Sequence, residues 1–148
     1  MNILGFSYPD NLYYWLERDL WCRRLGNGWV EVGVTAFGVH ISGDFYMARP
    51  KPAGTVLEQG QTLAVVELSK SVIAIKTPVS GCVREVNAAL QDTPELIHQD
   101  PYAAGWLARI EPARWDVDLL ALHHGAALPA AAQRRMRLEN LDFSEGPR

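Results

Sequence analysis

The stretch from Leu63 to Ile75 constrains the fold of this chain more than any other part of it. Residues 63–66 (Leu-Ala-Val-Val) and 72–75 (Val-Ile-Ala-Ile) are short apolar runs bounded by polar residues, so each reads as a buried β-strand. Between them Ser69-Lys70-Ser71 is polar throughout and reads as a solvent-facing hairpin tip. A lysine amine held at such a tip is strongly hydrated and rotates freely. Nothing apolar or cationic surrounds it to activate it as a nucleophile. The chemistry it suits is acylation by a partner enzyme.

The same strand-and-turn rhythm extends from Trp29 to Ile110. Trp29-Val-Glu-Val-Gly-Val34 alternates, Phe45-Tyr-Met47 follows Gly43-Asp44, and Pro50-Lys-Pro-Ala-Gly54 and Leu57-Glu-Gln-Gly60 are turn punctuation. Such spacing predicts a sandwich or barrel of small antiparallel sheets. Two halves stand out, one with Gly54–Gly60 and the lysine hairpin, the other with Ser80-Gly-Cys-Val-Arg-Glu-Val86.

Helices are expected only at the edges. Asp10 is a candidate N-cap for a short helix with apolar residues at 12, 15, 16 and 20. Pro129-Ala-Ala-Ala-Gln-Arg-Arg-Met-Arg-Leu-Glu-Asn-Leu141 is the strongest helix, with Pro at an allowed first-turn position. Its Arg134, Arg135 and Arg137 read as a solvated face. The end, Phe143–Arg148, is expected to fray.

At 148 residues the chain is long enough to bury a core without disulfides. Its 14 Lys+Arg against 17 Asp+Glu form no block of like charge, which argues against a nucleic-acid partner. No apolar run approaches the ~18 residues that span a bilayer, and Met1–Pro9 has no leader-like pattern, so no membrane is expected and the location reads as cytoplasmic. Cys22 and Cys82 stand alone and read as buried or half-buried thiols. His40, His98, His123 and His124 have no carboxylate or cysteine at metal-ligand spacing, so no metal site is expected.

One ordered series of residues is specific. Val65-Val66-Glu67-Leu68-Ser69-Lys70, Pro78-Val79-Ser80-Gly81 and Glu85-Val86-Asn87 resemble the lipoyl-bearing hairpin of the glycine cleavage H protein family. The resemblance continues through Asn87–Leu90, Pro94–Leu96, Asp100–Tyr102 and Gly105–Leu107, and upstream through Val32–Thr35, Gly43-Asp44, Gly54 and Gly60. It covers residues 21–111. His98 stands where an Asn is common, Ala103 replaces a Gly, and Val72-Ile73-Ala74 replaces a more polar stretch ending in Asp.

The resemblance implies a mainly β, lipoyl-domain-like barrel-sandwich hybrid, or hammerhead, with short peripheral helices and a C-terminal helix. It divides the chain into an N-terminal extension packed on the core (1–20), a lipoyl-carrier domain (21–115) and a C-terminal helical segment (116–148). Trp21 would start a strand. The halves would be related by quasi-two-fold symmetry, with Lys70 at the turn between them. Lys70 would carry lipoate covalently, Glu67 would be read by the lipoate ligase or other lipoyl-attaching enzyme, and His98 would contact the arm. Tyr102, Trp106 and Trp115 would lie near the arm or in the core. The protein would be a carrier rather than an enzyme, with no catalytic residue of its own. A tethered fragment then visits successive active sites at high effective concentration, and dihydrolipoamide dehydrogenase would be a redox partner.

Phe6–Tyr14 with Leu16–Trp21, and Arg109-Ile-Glu-Pro-Ala-Arg-Trp115, are similar to H-like lipoate-binding proteins of the heterodisulfide-reductase-like sulfur oxidation pathway. Glycine cleavage H proteins commonly have His two residues before the Trp, where this chain has Asp19. The expectation is therefore a sulfur-oxidation carrier serving a heterodisulfide-reductase-like complex. The alternatives are an aminomethyl carrier serving the glycine cleavage enzymes, and an unlipoylated structural or regulatory protein. A biotinyl carrier is disfavoured because no Met-Lys-Met setting surrounds Lys70.

Overall fold

A computed structural model describes residues 1–145. The chain begins with β1 (Asn2–Ile3), β2 (Phe6–Ser7) and β3 (Tyr13–Trp15), then a 3-10 turn at Leu16–Arg18, β4 (Leu20–Arg24) and β5 (Val30–Val34). Helix α1 (Ala36–Ser42) leads to β6 (Phe45–Pro50), β7 (Val56–Leu57), β8 (Thr62–Leu68), β9 (Val72–Lys76) and β10 (Gly81–Val86). Short helices α2 (Ala89–Asp92) and α3 (Leu96–Gln99), strand β11 (Ala108–Pro112) and α4 (Trp115–Asp118) precede the long α5 (Leu128–Glu145). No helix among the described residues is long and apolar enough to cross a membrane.

Six strands form one antiparallel sheet in the order β3-β4-β5-β11-β10-β7, and three form a second in the order β6-β8-β9. Their facing apolar residues make the core. Leu20 and Val34 of the large sheet cluster with Ala48, Ala64, Val66 and Ile75 of the small one, beneath Leu90 and Ile97 of α2 and α3. Burying each large aliphatic side chain stabilises the fold by about 1.5–3 kcal/mol, so this cluster holds the small sheet in place. The mainly β architecture with edge helices is the expected one.

The segment before Trp21 departs from the expected helix. Leu12, Leu16 and Leu20 recur four apart, which mimics a helical stripe, yet Tyr13–Trp15 pair antiparallel with Leu20–Cys22. Asp19 turns the chain between them with a left-handed φ of 57°. Sheet pairing satisfies the backbone groups of residues 13–15, so tertiary context overrides the local spacing. The expected strand at Trp21 is present and starts one residue earlier, at Leu20.

Trp21 is fully buried and donates its indole N–H to the Pro101 carbonyl at 2.9 Å. Its ring fills the space over Gly33, where an added Cβ would come within 2.5 Å of ring carbons, so a side chain at 33 collides with the indole. Beside it the outer face of the large sheet carries a charge ladder. Glu31, 5 % exposed, accepts from Arg23 at 2.7 Å and Arg109 at 2.9 Å. Those arginines lie over Trp21 and Trp106, at 4.9 and 4.0 Å from the ring centroids, which places Trp106 at the edge of the core rather than inside it.

The N-terminal segment and α5 share a third cluster: Ile3, Tyr8, Leu12, Tyr14 and Leu16 pack with Leu128, Ala132 and Met136. Arg134 and Arg137 are exposed, as a solvated face requires. Arg135 is not: it donates to the Leu16 carbonyl at 3.1 Å, to Asp19 at 2.7 Å and to Glu139 at 3.1 Å. Helix α5 runs to Glu145, and the last residues of the end expected to fray, 146–148, lie outside the described residues.

Candidate functional site

The 63–75 hairpin forms as its periodicity requires. Strands β8 and β9 pair from Thr62↔Lys76 to Glu67↔Val72, and the Leu68 amide donates to the Ser71 carbonyl at 2.8 Å to close the tip. Alternation puts Ala64, Val66 and Ile75 inward, while Val65 and Glu67 face outward with Ala74 and Val72 opposite them. Ser69 and Lys70 are left at the extremity, both exposed. Among the described residues Lys70 has no hydrogen-bond or ion-pair partner. Of the other lysines in this region, Lys76 is half-buried with its amine 3.2 Å from Thr62 Oγ1. Glu67 sits one residue pair below the tip, half-buried and also without an ion pair among the described residues.

The Thr77–Gly81 corner that follows β9 is the hairpin's foundation. Pro78, Val79 and Ser80 are buried. The Ser80 amide and hydroxyl both donate to one oxygen of Asp118, each at 2.7 Å. Gln59 bridges the carbonyls of Pro78 and Asp118 at 3.0 and 3.2 Å. Gly81 lies so close to the Glu111 carbonyl that no side chain fits. The Pro78-Val-Ser-Gly81 motif is therefore a rigid corner, and Asp118, 3 % exposed, is a functional support that sequence reading missed. No local pattern marks it, because its partner lies far away in the chain.

Two recesses flank the small sheet near the tip, and the buried ring of Phe45 lines both. One, of about 210 Å³, lies between the 3-10 turn, α1 and β9, and is lined by Glu17, Arg18, Asp19, Leu20, Ile73 and Lys76 among others. In it the Asp19 carboxyl is held above its usual range by burial, partly offset by Arg135. The other, of about 310 Å³, lies between the start of β6 and α3, lined by Asp44, Phe45, Tyr46, Pro94, Glu95 and His98. Phe45 pairs with Leu68, two residues before Lys70, so this recess opens at the same end of the sheet as the tip.

His98 is on the single turn of α3 rather than in a loop, because Pro94 and Glu95 start a turn whose amides at Gln99 and Asp100 bond back to Glu95 and Leu96 at 2.9 Å. Its ring is half-buried, 6.5 Å from the Phe45 ring, and its Nδ1 is buried without a partner among the described residues. Tyr102 is drawn away from the tip: its hydroxyl donates to the Ser7 carbonyl and accepts from the Ala36 amide. Trp115 packs with Tyr13 and Arg24 at the far side of the large sheet. Cys22 is buried and Cys82 is half-buried, as expected.

An exposed amine at a braced tip, with a recess to either side, fits a long acyl arm attached at Lys70. Comparison with known proteins gives the family. The family model described as "Glycine cleavage H-protein" matches residues 12–131. A glycine cleavage system H protein of Mycobacterium tuberculosis is 39% identical over 126 residues, covering 85% of this chain and 93% of that one. The glycine cleavage system H protein 2 of Aquifex aeolicus is 33% identical over 141 residues, covering 95% of this chain and 88% of its own. The crystal structure of an H protein from Mycobacterium marinum superposes with a TM-score of 0.66 at 32% identity, covering 72% of this chain and 87% of that one. The sulfur-oxidation subtype and a heterodisulfide-reductase-like partner, expected from the N-terminal aromatic segment, find no support in these relatives.

Proposed function

Because the chain belongs to the glycine cleavage H-protein family, lipoyl carriers rather than enzymes, we propose that it is a cytoplasmic lipoyl carrier whose arm is attached at Lys70 and conveys an aminomethyl group between the glycine cleavage enzymes. The observation that carries this reading is the exposed Lys70 amine at the tip of a hairpin whose inward face is locked into the core. Held on Lys70, lipoate would supply a disulfide that the glycine-derived fragment reduces, leaving one sulfur to bear the aminomethyl group and the other as a free thiol. The protein's own residues anchor, aim and present. Ala64, Val66 and Ile75 fix the strands, Asp118 braces the corner behind them, and Glu67 offers a carboxylate beside the tip to the lipoate ligase. Dihydrolipoamide dehydrogenase is the partner that restores the disulfide.

The relatives' names favour this aminomethyl carrier over the sulfur-pathway carrier suggested by the N-terminal segment. Intact mass after coexpression with a lipoate ligase and lipoate should give one adduct, absent in Lys70→Arg. An adduct retained by that variant, on Lys51 or Lys76, overturns the assignment. With the adduct in place, glycine-dependent carbon dioxide release with purified decarboxylase and aminomethyltransferase should match that of an H protein from a relative. Full lipoylation without turnover would instead direct the arm to a thiol-disulfide or sulfur-handling partner.

A further inference from the structure

A third recess, of about 510 Å³, exceeds both of those beside the tip and faces another way. It opens at the mouth between the two sheets: Ala48 and Pro50 line it from β6, Val86 from the end of β10, and Ala88 from the start of α2. Along β6 it runs from Met47, level with Glu67, to Pro50, level with Ala64, and so leads away from Lys70. Its volume is ordinary for a small-molecule site.

Its lining contains one cation, Arg49, and among the described residues neither a carboxylate nor an aromatic ring. The alanines leave the space, and the unbranched thioether of Met47 forms a wall that adapts to what enters. Asn87 is already spent, since its Nδ2 donates to the Ala104 and Trp106 carbonyls at 2.7 and 2.9 Å and its Oδ1 accepts from the Ala89 amide at 3.2 Å. Arg49 and Gln91 remain, both exposed. The Arg49 Nε lies 3.0 Å from the Met47 sulfur, which lays the guanidinium against a wall of the recess and leaves both Nη groups without an ion-pair partner among the described residues. A guanidinium fork reads a carboxylate bidentately. Aliphatic walls suit a chain and offer a planar ring nothing to stack on, and a single cation suits a monoanion better than a phosphate dianion.

We propose that this recess binds a free, medium-chain aliphatic monocarboxylate, with the carboxylate on Arg49 and Gln91 and the methylenes against Met47, Ala48, Pro50 and Val86. The site does not depend on attachment at Lys70. An acid joined to a lysine has spent its carboxyl group in the amide bond and offers Arg49 no anion, so the recess selects free acids. An exposed ion pair contributes little affinity. The methylenes therefore set how tightly the ligand binds, and Arg49 sets which sign of charge is accepted.

The test uses the full-length Lys70→Arg protein, which has no arm at that position, and follows backbone amide NMR signals at neutral pH as octanoate is added below micelle-forming concentrations. Signals of Met47–Arg49 and Val86–Gln91 should shift and saturate. A fully buried methylene is worth about fourfold in affinity, so octanoate, four methylenes longer, should bind at least about tenfold tighter than butanoate in a groove open on one side. Octylammonium should bind more weakly than octanoate, and Arg49→Glu, at an exposed position, should reverse that preference. Ala88→Leu, exposed and in helical conformation, fills the recess and should abolish saturable binding with the melting temperature unchanged. Shifts that fail to saturate, or that spread to exposed apolar residues elsewhere such as Val72 and Leu120, overturn the proposal, as does equal binding of octanoate and octylammonium or parent-like binding by Ala88→Leu. The location of the shifts and the comparison of the two chain ends are read on the Lys70→Arg protein alone, so they decide the matter even where a recess variant fails to fold.

Discussion

Two carboxylates of this protein show how the same functional group takes opposite roles in different surroundings. Glu67 faces outward beside the tip with no ion pair among the described residues, whereas Asp118 is 3 % exposed and accepts two hydrogen bonds from Ser80. A half-buried carboxylate that makes no ion pair among the described residues contributes little to stability, so Glu67→Ala should leave the melting temperature nearly unchanged while slowing lipoylation by the ligase. Equal lipoylation rates for both proteins would return Glu67 to a plain solvated residue. Asp118→Ala strands a buried amide and a buried hydroxyl, each a loss of about 1–3 kcal/mol when unsatisfied. Denaturant unfolding should therefore place Asp118→Ala at least about 1 kcal/mol below the parent, with Lys70 still available for lipoylation. The Lys70 tip was legible in the sequence because polarity between two apolar runs is a local pattern. Asp118 was not, because its meaning depends on Ser80, which reaches it only after folding.

Among the elements, α5 has the least local reason for its position. Its helical character was legible from Pro129 onward in the run of alanines and long side chains. Its docking was not, since Arg135 sits in a basic cluster that reads as solvated and is in fact tied to Leu16 and Asp19. The 10–20 segment misled for a related reason: leucines four apart resemble a helix face until the pairing of Tyr13–Trp15 with Leu20–Cys22 is known. The recesses beside the tip were legible only in part, His98 from its place in the motif series, Phe45 and Tyr46 merely as strand residues. Arg135→Ala tests the docking. It removes three donors, leaves the Asp19 carboxylate buried and uncompensated, and should cost about 2–3 kcal/mol, because hydrogen bonds to charged groups contribute more than neutral ones. Asp19 already titrates above its usual range because of burial, and losing the guanidinium should push it higher still. The folded state of the variant then binds its proton more readily than the unfolded state, so its deficit should grow as pH rises from the acid range toward neutral. A deficit that is constant with pH would mean that Asp19 escapes to solvent once α5 loosens.

At the scale of the whole molecule, the N-terminal segment is joined to the sheet core through buried phenols. Tyr14 donates to the Pro9 carbonyl at 2.6 Å, Tyr102 donates to Ser7, and Tyr8 is wholly buried with a hydroxyl that finds no partner among the described residues. Burial raises the pKa of all three, that of Tyr102 to about 12 and those of Tyr8 and Tyr14 beyond it. In the unfolded chain the phenols ionise near pH 10. Above that pH the unfolded state binds fewer protons than the folded state, so stability falls as pH rises, with the loss growing until the folded-state values are reached. The contribution is fully present at neutral pH, and the protein should unfold steeply in alkali with a coincident rise in phenolate absorbance. Tyr8→Phe separates this linkage from general alkaline damage. It removes a hydroxyl that makes no hydrogen bond among the described residues, so at neutral pH stability should stay level or rise by about 1 kcal/mol, the desolvation cost of an unpaired hydroxyl. It also removes one titrating group, so its melting temperature should decline less between neutral pH and about pH 11 than that of the parent. Parallel declines for the two proteins would mean that Tyr8 ionises without unfolding, and that the N-terminal segment opens independently of the sheets.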